Sequence, residues 1–160
     1  MSAKLLVLLC LLVVLGHLAA QAPPAPAFVS VSVQPSDGHA APVVADVRGG
    51  GWRMENSPVR ALLDAAYPTR DGEILNAPSW IGDARYDISA TAAGDPSREE
   101  LQAMLRRLLQ ERFAFRGHVE EQERWSEEAD PHARDGSRRR VVVEVLVIKH
   151  IERPAAAGSW

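Results

Sequence analysis

The run VVVEVLVIKHI, Val141 to Ile151, constrains the fold more than any other segment. It is rich in β-branched residues and apolar on both faces, so it predicts a strand at the centre of a sheet, covered from both sides. Covalent staples are not available to help. The chain has one cysteine, Cys10, inside an N-terminal apolar run, so disulfides and a cysteine nucleophile are both excluded for the remainder. At 160 residues the chain is one domain's length and can bury roughly two thirds of its unfolded surface, enough for a core without metal or disulfide.

The N-terminus has the order of an export signal. Lys4 supplies the positive end, Leu5 to Leu15 (LLVLLCLLVVL) the apolar segment, and Leu18 to Ala22 the small residues a peptidase accepts. The apolar run falls short of the roughly 20 residues that span a bilayer. Residues 1–22 are therefore read as a signal peptide and 23–27 as a Pro/Ala-rich spacer. Residues 28–154 form a single domain with a polar loop at 124–140, and 155–160 a tail. Charge is mildly acidic, 18 Lys+Arg against 21 Asp+Glu, which excludes the basic surplus of a nucleic-acid binder. Arg138 to Arg140, the basic cluster, reads as part of the solvated loop.

Phe28 to Val33 alternates as a half-buried strand, Pro35 to Gly51 reads as a long loop, and Trp52 to Glu55 as a short strand. Ser57-Pro58 is expected to cap a helix whose apolar face is Val59, Leu62, Leu63, Ala66 and Tyr67. Strands follow at Glu73 to Leu75 and at Tyr86 to Ala92, the second with Tyr86, Ile88, Ala90 and Ala92 on one face. Ser97 and Glu100 form a capping box ahead of a helix with Leu105 and Leu108 at the centre of its buried stripe and Arg106 opposite. From Phe113 the period changes: Phe113, Phe115 and Val119 are expected inward, Arg116, His118 and Glu120 outward. The result is an α+β fold in βαββαββ order, two helices packed on one face of a mixed sheet.

Chemistry-bearing residues are sparse. His118, Glu120 and His150 converge as a set of N and O metal ligands if their strands pair, though without a short ligand spacing such as HExxH. No Gly-x-Ser-x-Gly elbow frames a nucleophile. Gly49 to Gly51 lacks the lysine and helix of a phosphate loop and reads as a turn. Asp87 falls on the open face of its strand. Trp52 and Trp80 at loop–strand junctions read first as half-buried core residues and second as partner contacts, and Trp125 in a polar segment as a partner contact. No catalytic residue and no cofactor is expected.

The segments NSPVRALLDAAY (Asn56 to Tyr67), APSWIGDARYDISATA (Ala77 to Ala92) and DPSREELQAMLRRLLQERFAFRGHVEE (Asp95 to Glu121) resemble a soil-associated, acidobacterial-type family of exported bacterial proteins of unknown function. Pro78/Trp80, Arg85-Tyr86-Asp87, Met104 to Phe113 and His118 carry the likeness, and Val143 to Pro154 resembles that family's C-terminus. Members are generally longer, so the resemblance implies a one-repeat version closed by the last strand of a lost repeat. The βαββαββ order is also similar to the short N-terminal domains of secretins and TonB-dependent receptors, which bind partner proteins. The resemblance further implies an extracytoplasmic sensing role, because related domains occur on membrane metallopeptidases of the antibiotic-sensor type.

The expectation is therefore an exported, periplasmic or secreted, non-catalytic envelope domain that binds a protein or peptide, with strand addition at a sheet edge as the mode. A metal-assisted hydrolase using His118 and His150 is the alternative, and a shortened chain that has lost its role is a third. Partners would be an envelope protein or peptide and no nucleic acid, with membrane contact only through an uncleaved signal. Cleavage after Ala20 is preferred to cleavage after Ala22, which Pro23 follows directly. N-terminal sequencing of the envelope form should then begin at Gln21; a form still carrying Met1 to Leu15 would establish an anchor instead.

Overall fold

The computed structural model describes residues 26–39, 41–47, 49–129 and 138–154. The signal segment and its cleavage site, most of the spacer, the middle of the 124–140 segment and the C-terminal tail lie outside the described residues. Among those described, no helix is long and apolar enough to cross a membrane.

The chain is α+β, with elements in the order β1 (Ser30–Pro35), β2 (Val43–Val47), β3 (Gly51–Pro58), α1 (Val59–Ala66), β4 (Glu73–Leu75), α2 (Trp80–Asp83), β5 (Arg85–Thr91), α3 (Arg98–Phe113), β6 (Arg116–Ala129) and β7 (Arg138–His150). The strands divide into two sheets, β1-β5-β3-β2 and β4-β7-β6, where one was expected. The division happens after β4. This short strand pairs parallel with β7, Ile74 beside Leu146. The turn of α2 then buries Ile81 and leads β5 away to pair with β1 and β3. β4 and β5, expected as successive strands of one sheet, therefore lie in different sheets.

Both sheets and the two longer helices feed one core. Val59, Leu62, Leu63 and Ala66 of α1 are fully buried, as are Leu109 and Phe113 of α3. They meet Met54, Tyr86 and Ile88 from the first sheet and Leu146 and Ile148 from the second. The alternation of β5 is as its sequence predicts, with Tyr86, Ile88 and Ala90 buried. Tyr86 packs edge-on against Phe113, centroids 5.6 Å apart, and Tyr67 against Phe115 at 5.4 Å. Val119, read as inward, is exposed, and at the start of the alternating segment Val29 is exposed while Phe28 packs against the core.

The long loop expected over Pro35 to Gly51 contains β2, which forms a hairpin with β3. Its turn requires glycine. Gly50 has φ +89°, and a Cβ there would lie 2.0 Å from the Gly94 carbonyl oxygen. At the other end of β3 the register shifts between Met54 and Ser57, where Asn56 takes φ 41°. Asp87 Oδ1 accepts the Asn56 N–H at 2.7 Å, and Arg85 Nη1 donates to its carbonyl at 3.0 Å. This bulge also overturns the expected cap on α1. Ser57 is buried and its hydroxyl donates back to the Glu55 carbonyl at 2.7 Å, so α1 starts after Pro58 with no side-chain cap.

The capping box on α3 forms as read: Ser97 Oγ accepts the Glu100 N–H at 3.2 Å and Glu100 accepts the Ser97 N–H at 2.8 Å. Its far end closes on Ala114 in the left-handed region, and the Glu152 N–H donates to the Phe113 carbonyl at 2.7 Å. Arg106, placed opposite the buried stripe, is not idle. Its Nε donates to the Ala66 carbonyl at 2.8 Å and its guanidinium lies over Tyr67, tying α3 to the end of α1.

Leu105→Ala and Leu108→Ala should each cost about 2–5 kcal/mol in denaturant melts. Arg106→Ala, by loss of a charged hydrogen bond at a partly exposed site, should cost about 1 kcal/mol. An Arg106 variant indistinguishable from the parent would show that the link to α1 contributes nothing.

Candidate functional site: the free edge of the β6–β7 hairpin

The described parts of the segment expected as a polar loop, 124–129 and 138–140, are strand. β6 continues to Ala129 and β7 begins at Arg138, giving a long antiparallel hairpin in unshifted register from Gly117 to Trp125. The sequence signal fails here because none of the side chains described from Val119 to Trp125 is buried, so the apolar–polar alternation that marks a half-buried strand never develops.

Register partners share a face, which sorts the hairpin into two surfaces. On one, Val119, Glu121, Glu123 and Trp125 lie beside Leu146, Glu144, Val142 and Arg140; on the other, His118, Glu120, Gln122 and Arg124 lie beside Val147, Val145, Val143 and Val141.

The second surface carries a continuous polar chain. His118 Nε2 lies 3.1 Å from Glu120 Oε2, Gln122 Nε2 donates to Glu120 Oε1 at 2.7 Å, and Arg124 Nη2 donates to Gln122 Oε1 at 2.9 Å. Arg124 Nη1 then reaches the Glu73 carboxylate on β4 at 2.7 Å. The chain bridges the two strands that flank β7. Val145, which points away from the helices, is nonetheless fully buried between Glu73 and Glu120. Bonded to one another, these polar side chains cover the outward valines of β7 while keeping their own hydrogen bonds. The hydrogen bond from Gln122, and after it that from His118, holds the Glu120 carboxyl below the ordinary carboxylate range.

The first surface is open at its distal end. Trp125 is 61% exposed, Val142 54% and Val119 42%. The Arg140 guanidinium lies over the Trp125 ring at 5.2 Å and reaches Glu123 at 3.4 Å. β6 is the outer strand of its sheet, so one side of its backbone pairs with β7 and the other with no strand among the described residues.

The other expected contacts resolve differently. Trp52 is 6% exposed and belongs to the core, its indole N–H without an acceptor among the described residues. Trp80 packs partly buried against the core, under Arg153 at 5.4 Å. Of the three tryptophans named from the sequence, only Trp125 is presented to solvent. His118, Glu120 and His150 do not assemble as ligands. His150 stands in register with Arg116 rather than His118 and pairs with Glu152 at 2.9 Å. Both histidines line an open recess of about 1140 Å³ at the hairpin's base with Arg116 and Lys149. Among the described residues, no three His, Cys, Asp or Glu side chains form a cluster able to hold a metal ion. Asp87 is committed to the Asn56 bulge, a role sequence reading misses because the bulge itself has no signature.

Residues 60–125 match the model of a family of proteins of unknown function, DUF3738. That span runs from α1 to Trp125, and leaves β1 to β3 and β7 outside it. No curated protein matches the chain, and no solved structure matches it. The family match agrees with the expectation of an uncharacterised family.

The polar chain gives a direct check. A carboxyl held low stabilises the fold above its ordinary pKa and loses that contribution as pH falls through the lowered value. Gln122→Ala should move the Glu120 titration upward, and by more than His118→Ala does, in carboxyl-detected NMR. An unmoved Glu120 in Gln122→Ala would break the chain at that link.

Proposed function

We propose that this chain is an exported, non-catalytic envelope domain that binds protein by accepting an extended segment along the free edge of β6. One observation carries the reading: from Gly117 to Trp125 the strand keeps unshifted register with β7 on one side and has no strand on the other among the described residues. A long exposed edge presents unpaired N–H and C=O groups and is a template for another strand. The remaining edges are blunted. β1 ends at Pro35, β4 has 3 residues, and β2 has 5 residues and follows Pro42. β6 is long, and beside its charges it exposes Trp125 and Val119 on one face, an aromatic anchor with an apolar neighbour.

Export to the periplasm or beyond rests on the order of the N-terminal segment. The resemblance to soil-associated exported proteins supports the same reading by analogy. The second reading, a metal-assisted hydrolase using His118 and His150, has no ligand cluster behind it among the described residues.

A photoreactive amino acid at Glu121 or Glu123 should crosslink to protein in intact envelopes, whereas one at Gln102 on α3 should not. Adducts from Gln102 but none from β6 would move the binding surface to the helices.

A further inference from the structure

We propose that the strand received by β6 is β6 of a second copy, paired antiparallel about Gln122; this rests on the strand-addition reading above and names its partner. A two-fold pair is self-complementary, so if residue i faces residue j, j also faces i. In an antiparallel sheet, facing residues also share a side, which confines the axis to a residue position and leaves few registers to compare.

An axis at Glu121 would set His118 against Arg124 and Val119 against Glu123, and an axis at Glu123 would set Glu121 against Trp125. With the axis at Gln122, Val119 faces Trp125 and Glu120 faces Arg124. The two exposed apolar side chains of β6 then cover each other across the junction, twice by symmetry. The acid and base that already belong to the polar chain on the opposite surface meet their opposites from the other copy. The two chains of hydrogen bonds become one, running from Glu73 of one copy to Glu73 of the other over a six-stranded sheet, β4-β7-β6 and its symmetry mate. Pairing from Val119 to Trp125 adds about six to eight main-chain hydrogen bonds, within the range of an ordinary protein interface.

One pair opposes assembly. Glu121 faces Glu123 on either side of the axis, and like charges directly opposite are destabilising. The dimer is accordingly reversible.

The test uses the full chain with Cys10→Ser, so that an introduced cysteine is the only thiol. Residues facing each other across an antiparallel pair have Cα atoms about 4.5–5.5 Å apart, inside the range a disulfide bridges. Gln122→Cys should therefore oxidise to a covalent dimer, while His39→Cys, on an exposed loop, should not. In sedimentation runs on the chain without an introduced cysteine, Glu121→Gln with Glu123→Gln should tighten dimerisation about three- to tenfold. Trp125→Ala should weaken it about tenfold, with thermal melts of the monomer confirming that the variants fold. A chain that stays monomeric at its highest soluble concentration, with Gln122→Cys crosslinking no better than His39→Cys, overturns the proposal. So does a dimer that Trp125→Ala leaves unchanged. If the chain is monomeric while photocrosslinks from β6 capture a different protein, the partner named here is wrong and strand addition stands. If β6 captures nothing, both fall.

Discussion

Everything in this molecule is arranged around the need to cover β7 from both sides. Leu146 and Ile148 point toward the helices and Val145 points the opposite way, and all three are buried. A central strand with two apolar faces ordinarily lies between two layers of helices or sheets. Here the inner face takes the shared core, while the outer face is closed by the linked side chains of Glu73, Glu120, Gln122 and Arg124. The cover works because these residues stand on the two strands flanking β7, so their aliphatic stems lie over the valines and their polar ends bond to one another. Each group in the chain also occupies its neighbour's lone pairs or hydrogens, which is why Glu120 stays ionised more readily than an ordinary carboxylate.

The same solution leaves β6 as an edge. Covering β7 needs a strand on each side, and β4 is too short to do more than hold Glu73 in place. β6 must then be long, and its outer backbone is left without a strand among the described residues. Charge along the strand moderates that exposure, yet Trp125 and Val119 stand in solvent beside it. The core and the presented surface are thus opposite sides of one packing arrangement. The first sheet is built differently: its edges are short or end in proline, and its one irregularity, at Asn56, is held by Asp87 and Arg85.

Most segments that met the core on one face showed it in their sequence, the short α2 with its buried Ile81 being the exception. The stripe and capping box of α3, the alternation of β5, the apolar face of α1, the short β4 and the central place of β7 all correspond to the observed elements. Segments without such a face were illegible. β2 lay hidden in a stretch rich in glycine and proline, and distal β6 reads as a charged loop because its two faces are polar or solvated. The surface proposed as functional falls in this second class. Trp125 was visible as an aromatic residue in polar surroundings, but its neighbours Val142 and Arg140 became neighbours only through the register of the hairpin.

The sequence alone determined the buried faces of α1, α3, β5 and β7 and that the fold is α+β without disulfides, because hydrophobic periodicity and capping chemistry act over a few residues at a time. Only the tertiary structure decided how the strands are shared between two sheets, that Ser57 serves a bulge rather than a helix cap, and that His118 and His150 answer to separate glutamates. Each of those outcomes depends on which distant backbone lies alongside. That is a competition among long-range pairings, and local pattern carries no record of who wins it.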